Sequence, residues 1–196
     1  MAPNLELDRR AAIGLGISAF AANVGAPAHA GIPTKDHAMH DPDGLNGFDF
    51  LHGVWKVRHR RLRARLAGET GWDEFDGDCE CRPMRIGHGN FEDNLIGKPG
   101  GAYAASATRY FDARTRQWAI YWIDSRFTSV EPPVIGGFKD GVGIFMADDS
   151  LEGKPIKVRF LWSDTASSAP RWEQAFSPDG GATWETNWTM RFTRVA

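Results

Sequence analysis

From Trp55 to the carboxyl end, apolar and polar residues alternate with a period of two. Ile156, Val158, Phe160 and Trp162 interleave with Lys157, Arg159, Leu161 and Ser163. Trp118, Ile120, Trp122 and Asp124 interleave with Ala119, Tyr121, Ile123 and Ser125. Trp184, Thr186, Trp188, Met190 and Phe192 do the same with Glu185, Asn187, Thr189, Arg191 and Thr193. Side chains that change face at every residue belong to strands, and one heavy apolar face per strand belongs to an antiparallel sheet with one side buried. Gly, Pro and Asp separate the segments, and no helical period competes with them. The pattern predicts strands near 54–66, 72–82, 86–96, 102–111, 117–125, 134–139, 142–148, 156–164, 171–177 and 183–194. About ten short strands in one stretch have the density of a sandwich or barrel. The expected fold is all-β, a single antiparallel up-and-down barrel spanning residues 47–196.

The amino-terminal residues follow different rules. Arg9-Arg10 precede a short, mild apolar run ending at Ala22, and Ala28 and Ala30 supply small residues for a signal peptidase. Residues 1–30 therefore read as a bacterial export signal cleaved near Ala30, and the paired arginines resemble a twin-arginine signal. The alternative is an amphipathic helix that stays attached. The expected location is the periplasm or the exterior. Residues 31–46, with Pro33, Pro42, Gly31 and Gly44, read as a flexible linker. His37, His40 and Asp41 lie in it, but three ligands without a fourth make a poor zinc site, so no metal is expected. Lys plus Arg number 23 and Asp plus Glu 25. That balance gives no electrostatic case for nucleic acid. No run of about 18 apolar residues exists, so no transmembrane span is expected.

The first hairpin carries a charge ladder. Pairing Leu66 with Trp72 sets Arg58 against Glu80 and Arg60 against Asp78. Arg58, Arg60, Arg61, Arg63 and Arg65 then read as one side of an outer ion ladder with Glu74, Asp76, Asp78 and Glu80. The same register sets His59 opposite Cys79, both facing inward, with Cys81 beside them. A thiol next to an imidazole is the minimal activated nucleophile. The same residues also read as two buried thiols and a core histidine. A Cys79–Cys81 disulfide is at the geometric limit for residues two apart on one strand.

Phe48 to Trp55 places Gly53-x-Trp55 at the entrance of the first strand. This resembles the opening of lipocalins and related calycin-like barrels, and of bacterial calycin-like proteins of unknown function. The resemblance implies a Trp that closes one end of the barrel under a basic residue of the last strand, for which Arg191 and Arg194 are available. Nitrobindin-like haem barrels share the opening but place an axial histidine near the carboxyl terminus. Here no His follows His88, so no cofactor is expected. Ser177-Pro178-Asp179-Gly180-Gly181-Ala182-Thr183-Trp184 matches one Asp box, the hairpin turn of sialidase-like propellers. A single copy in 196 residues reads as a turn between the last two strands.

The expected inner face includes Trp55, Trp118, Trp122, Phe160, Trp162, Phe176, Trp188 and Met190, around few polar groups. Either these aromatics fill the barrel, or they line a chamber for a small hydrophobic or aromatic molecule. Candidate ligand-binding residues are Asn94, Arg109, Trp122, Asp124, Gln174 and Trp188. Arg109 faces inward and needs a carboxylate partner or an anionic ligand; Asp124 could be that partner, in a pair at a cavity mouth that binds a polar headgroup or serves as acid and base, or in a plain strand-end bridge. Candidate catalytic residues are His59 with Cys79, or His88 with Asp124. His88, between Gly87 and Gly89, reads equally as a loop residue. Glu173 reads as an outer-surface partner of Arg159 or Arg191. Three functions follow: a binding barrel, an enzyme acting on such a molecule, or a solid-cored envelope interaction protein.

Overall fold

The computed structural model describes residues 44–85, 88–127 and 129–195. The expected export signal and the His37, His40 and Asp41 group lie outside the described residues. Among the described residues a 3-10 turn, Asp49–Leu51, precedes ten strands: β1 Gly53–Leu62, β2 Trp72–Pro83, β3 Gly89–Ile96, β4 Tyr103–Asp112, β5 Gln117–Asp124, β6 Val134–Lys139, β7 Val142–Leu151, β8 Lys154–Ser163, β9 Arg171–Ser177 and β10 Glu185–Arg194. Each pairs antiparallel with its neighbours in sequence, and β10 pairs with β1 to close the barrel. Closure removes the sheet edges that an open ten-stranded sheet would expose. No described helix is long and apolar enough to cross a membrane.

One end of the barrel is plugged. Phe48 and Leu51 are fully buried, and Phe48 packs edge-on against Trp118, Phe138 and Trp162. Trp55 donates its indole N–H to the Leu51 carbonyl at 2.7 Å. Arg194 lies over the Trp55 ring, 4.0 Å from its centroid, and donates to the carbonyls of His52 and Phe50 at 2.7 and 3.0 Å. Of the two expected basic residues, Arg194 fills the role. The chain reaches the plug from Gly44, whose carbonyl accepts the Trp118 indole N–H at 2.8 Å.

The first hairpin departs from the expected register by four residues. Leu62, not Leu66, is the partner of Trp72, so Arg58 faces Asp76, Arg60 faces Glu74, and His59 faces Phe75. Cys79 faces Trp55 instead. An even slip leaves every side chain on its expected face, and it also leaves an acid opposite each arginine, so neither polarity nor charge selects between the two registers. The outer ladder forms in the new register, through Lys56–Asp78, Arg58–Asp76, Arg58–Glu74 and Arg60–Glu74. Residues 63–71 become a longer loop, in which Leu66 takes a positive φ and its N–H donates to Glu185 Oε1 at 2.7 Å.

Two further departures are local. In β10 the pairing shifts between Thr186 and Trp188, a bulge that turns Asn187 into the interior. The apolar face read through 184–192 therefore changes side there. Trp184 precedes the strand and stacks against Arg159, whose carbon Cζ is 4.6 Å from its ring centroid. Glu173 is an outer residue as expected, but its partner is Arg171, at 3.1 Å. The Asp-box turn forms between β9 and β10. Asp179 accepts from the Thr183 hydroxyl at 2.6 Å and the Thr183 N–H at 2.9 Å. Those bonds, with one from Ser177, hold its pKa down at about 2.

Candidate functional site

Opposite the plug, the barrel opens into a cavity of about 420 Å³. The interior is therefore not filled by its aromatics. The strand directions place the mouth where β1, β3, β5, β7 and β9 end, around the loops that follow them. Trp122, Trp172, Trp188, Phe160 and Phe176 line the walls. Trp188 stands at the centre, edge-on to Trp172 at 5.5 Å and to Trp122 at 6.2 Å between ring centroids. Edge-to-face indoles are a favourable arrangement, and here they line the open volume rather than fill it.

Five of the six expected ligand-binding residues line this cavity: Arg109, Trp122, Asp124, Gln174 and Trp188. Asn94 is buried and does not line the cavity, but it donates to Oε1 of Glu92, which does, at 2.8 Å. Gln174 donates to Asn187 Oδ1 at 2.8 Å, so the β10 bulge fixes its amide.

The expected Arg109–Asp124 pair does not form. Asp124 sits opposite Ala105 while Arg109 sits opposite Ile120, four residues along β5. Arg109 pairs instead with Glu92 at 2.6 Å and donates to Asn90 Oδ1 at 3.0 Å. Burial opposes the Arg109 charge, and the Glu92 carboxylate outweighs it, leaving its pKa raised. Asp124 pairs with Arg126 at 2.6 Å. Burial lifts the Asp124 carboxyl, but the Arg126 hydrogen bonds prevail and hold its pKa below the usual value. Glu92 was legible: the inner parity of β3 runs Asn90, Glu92, Asn94, Ile96, but three polar residues disguise it as an outer face.

Neither expected catalytic pair is brought together. His59 and Cys79 share the interior but not a cross-strand position. His59 stacks on Phe75 and accepts from the Trp188 indole N–H through Nδ1 at 3.2 Å, which leaves the proton on Nε2. Gly77 makes the room, since a Cβ there would lie 2.8 Å from His59 Nε2. Burial pushes the His59 pKa down to about 4. Burial likewise raises both thiols, Cys81 up to about 12, so neither holds an appreciable thiolate fraction at neutral pH. Both cysteines are free, without the disulfide. His88 is exposed at the plugged end, where its carbonyl accepts from the Phe111 N–H. Asp124 belongs to the mouth, six residues along β4 from that level, a separation of about 20 Å. Among the described residues no group of His, Cys, Asp and Glu is arranged to hold a metal ion.

Sequence reasoning also missed Arg61. Taken as part of the outer ladder, it continues the inward parity of Trp55, Val57 and His59. It lies opposite Trp188 on β10 and lines the cavity, with its guanidinium 4.6 Å from the Trp188 centroid. Its Nη1 is shielded from solvent and has no hydrogen-bond partner among the described residues. The Tyr103 hydroxyl close by is likewise buried outside hydrogen-bond distance of any described group, yet near enough for the Arg61 guanidinium to act on it. Burial, with Arg65 adding repulsion, lowers the Arg61 pKa. Asp73, its cross-strand neighbour, is occupied by Arg63 at 3.0 Å.

No known protein family matches the chain, and no curated protein is significantly similar to it.

Proposed function

We propose that this chain is an exported binding protein that holds a small hydrophobic or aromatic molecule in a calycin-like barrel. The observation that carries the reading is the cavity itself: about 420 Å³, open at one end, walled by indole and phenyl rings and plugged below. Its volume lies within the range of small-ligand sites. The calycin likeness is supported by Gly53-x-Trp55 and by Arg194 stacked across Trp55. Export is supported by the charged head, apolar run and small residues of positions 1–30.

The test uses N-phenyl-1-naphthylamine, a neutral fluorophore that brightens in apolar surroundings. Titration of the whole chain is expected to give saturable enhancement at about one site per chain. Ala147 lines the cavity on β7, so Ala147→Trp fills it and is expected to abolish the enhancement while the melting temperature holds. Enhancement that does not saturate, or that survives the filled cavity, overturns the reading.

A further inference from the structure

Of the other arginines that line the cavity, three have a carboxylate, and Arg65 lies over the Phe176 ring nearer the rim. Arg109 has Glu92, Arg126 has Asp124, and Arg63 has Asp73. Arg61 has an indole face and no ion pair among the described residues, the Asp124 carboxylate that acts on its charge being held by Arg126, although it lies deeper than Arg63. The contact with Trp188 offsets part of the desolvation, but a ring face cannot accept the in-plane N–H bonds of a guanidinium. An inward guanidinium with an unused donor, above a hydrophobic chamber, is the arrangement that receives an anion from a ligand.

The charges around it limit that anion. Once the internal pairs are set aside, with Asp148 held by Lys157, the lining leaves Arg61, Arg65 and Lys98 against Glu131 and Asp149. That surplus is a single positive charge. Burial raises the Glu131 pKa, the neighbouring acids Asp149 and Asp124 add their repulsion, and Arg65 offsets part of it. A dianion would meet that repulsion, whereas a monoanion matches the surplus. A carboxylate also presents two oxygens in the plane that a guanidinium fork addresses.

We infer that the ligand of this cavity is a monocarboxylate, with its carboxylate on Arg61 and its apolar body against Trp122, Trp172 and Trp188. The inference rests on the binding role proposed above and adds the chemical class of the ligand. Arg61 orients the molecule, anionic end towards the mouth, while the indoles supply the contact area.

Three matched probes separate the two ideas: 1-naphthaleneacetate, its neutral primary amide, and 1-naphthyl phosphate. Binding is followed by tryptophan fluorescence or calorimetry on the whole chain at neutral pH. The acid is expected to bind about tenfold tighter than the amide, the size of one charge-assisted contact, and tighter than the phosphate. Arg61→Gln is expected to erase that preference by weakening the acid more than the amide, with Arg61→Lys recovering part of it. Melting curves of both variants confirm the fold. If amide and acid bind equally, or Arg61→Gln keeps the preference, the carboxylate inference fails while the cavity reading stands. Tighter binding of the phosphate overturns the choice of anion. If none of the three binds, the cavity reading fails and the inference falls with it.

Discussion

The two ends of this barrel use the same residue types to opposite effect. At the plugged end an arginine lies on a tryptophan and gives two hydrogen bonds to backbone carbonyls, so Arg194 locks the Asp49–Leu51 turn over the core. At the open end an arginine again lies on a tryptophan, but Arg61 Nη1 ends without a partner among the described residues. A satisfied pair stabilises the fold that contains it. An unsatisfied one is retained at a cost in stability, and such sites concentrate where a protein meets something else. The plugged end holds the barrel together, and the open end is what the barrel presents.

Truncation of tryptophan at each end tests that division most strongly. Trp55 is 1% exposed, and Trp55→Ala is expected to destabilise by about 3–5 kcal/mol, through lost burial and the cavity left behind. Trp122 is only partly buried and already borders empty space, so Trp122→Ala is expected to cost about 1–2 kcal/mol. Chemical denaturation of the two variants measures the difference. Equal losses would remove the distinction between the ends.

The packed region beneath Trp188 should show itself in pH. Folding lowers the His59 pKa from 6.5 to about 4, because burial disfavours the imidazolium; the nearby Arg61 charge adds to this and Asp76 opposes it. The unfolded chain therefore binds more protons between those values, and stability falls as pH drops through that window. Over the whole window the loss is on the order of 3 kcal/mol. His59→Gln is expected to flatten this slope, and melting temperatures from pH 7 to pH 4 check it. A variant as pH-sensitive as the parent would place the effect elsewhere.

The smallest effect has the most telling sign. Arg61→Met keeps the stem packed on Trp188 and removes the unpartnered charge, so it is expected to change stability by between zero and about 1 kcal/mol in the favourable direction. Arg194→Met, which strands two carbonyl contacts, is expected to destabilise. Parallel melting curves decide this. Destabilisation by both would make Arg61 a structural residue like its counterpart.

Alternation alone determined the number of strands, their order of faces and the inward aromatics, because in-or-out is a local property with a period of two. The Asp179-Gly180 turn and the Trp55 clasp were also legible, since each is carried by a few adjacent residues of fixed geometry. Arg61 was legible by parity, and was obscured by the arginines around it. What only the tertiary structure decided was which residues meet across strands. The repeating acids Glu74, Asp76, Asp78 and Glu80 accept the arginines of β1 in either of two registers, so closure of the whole barrel had to choose, and its choice parted His59 from Cys79. The same holds for Arg109, whose partner depended on the offset between β3, β4 and β5 rather than on any spacing along the chain. The cavity came last, because empty volume is what remains when a wall of ten strands encloses more space than its inward side chains occupy.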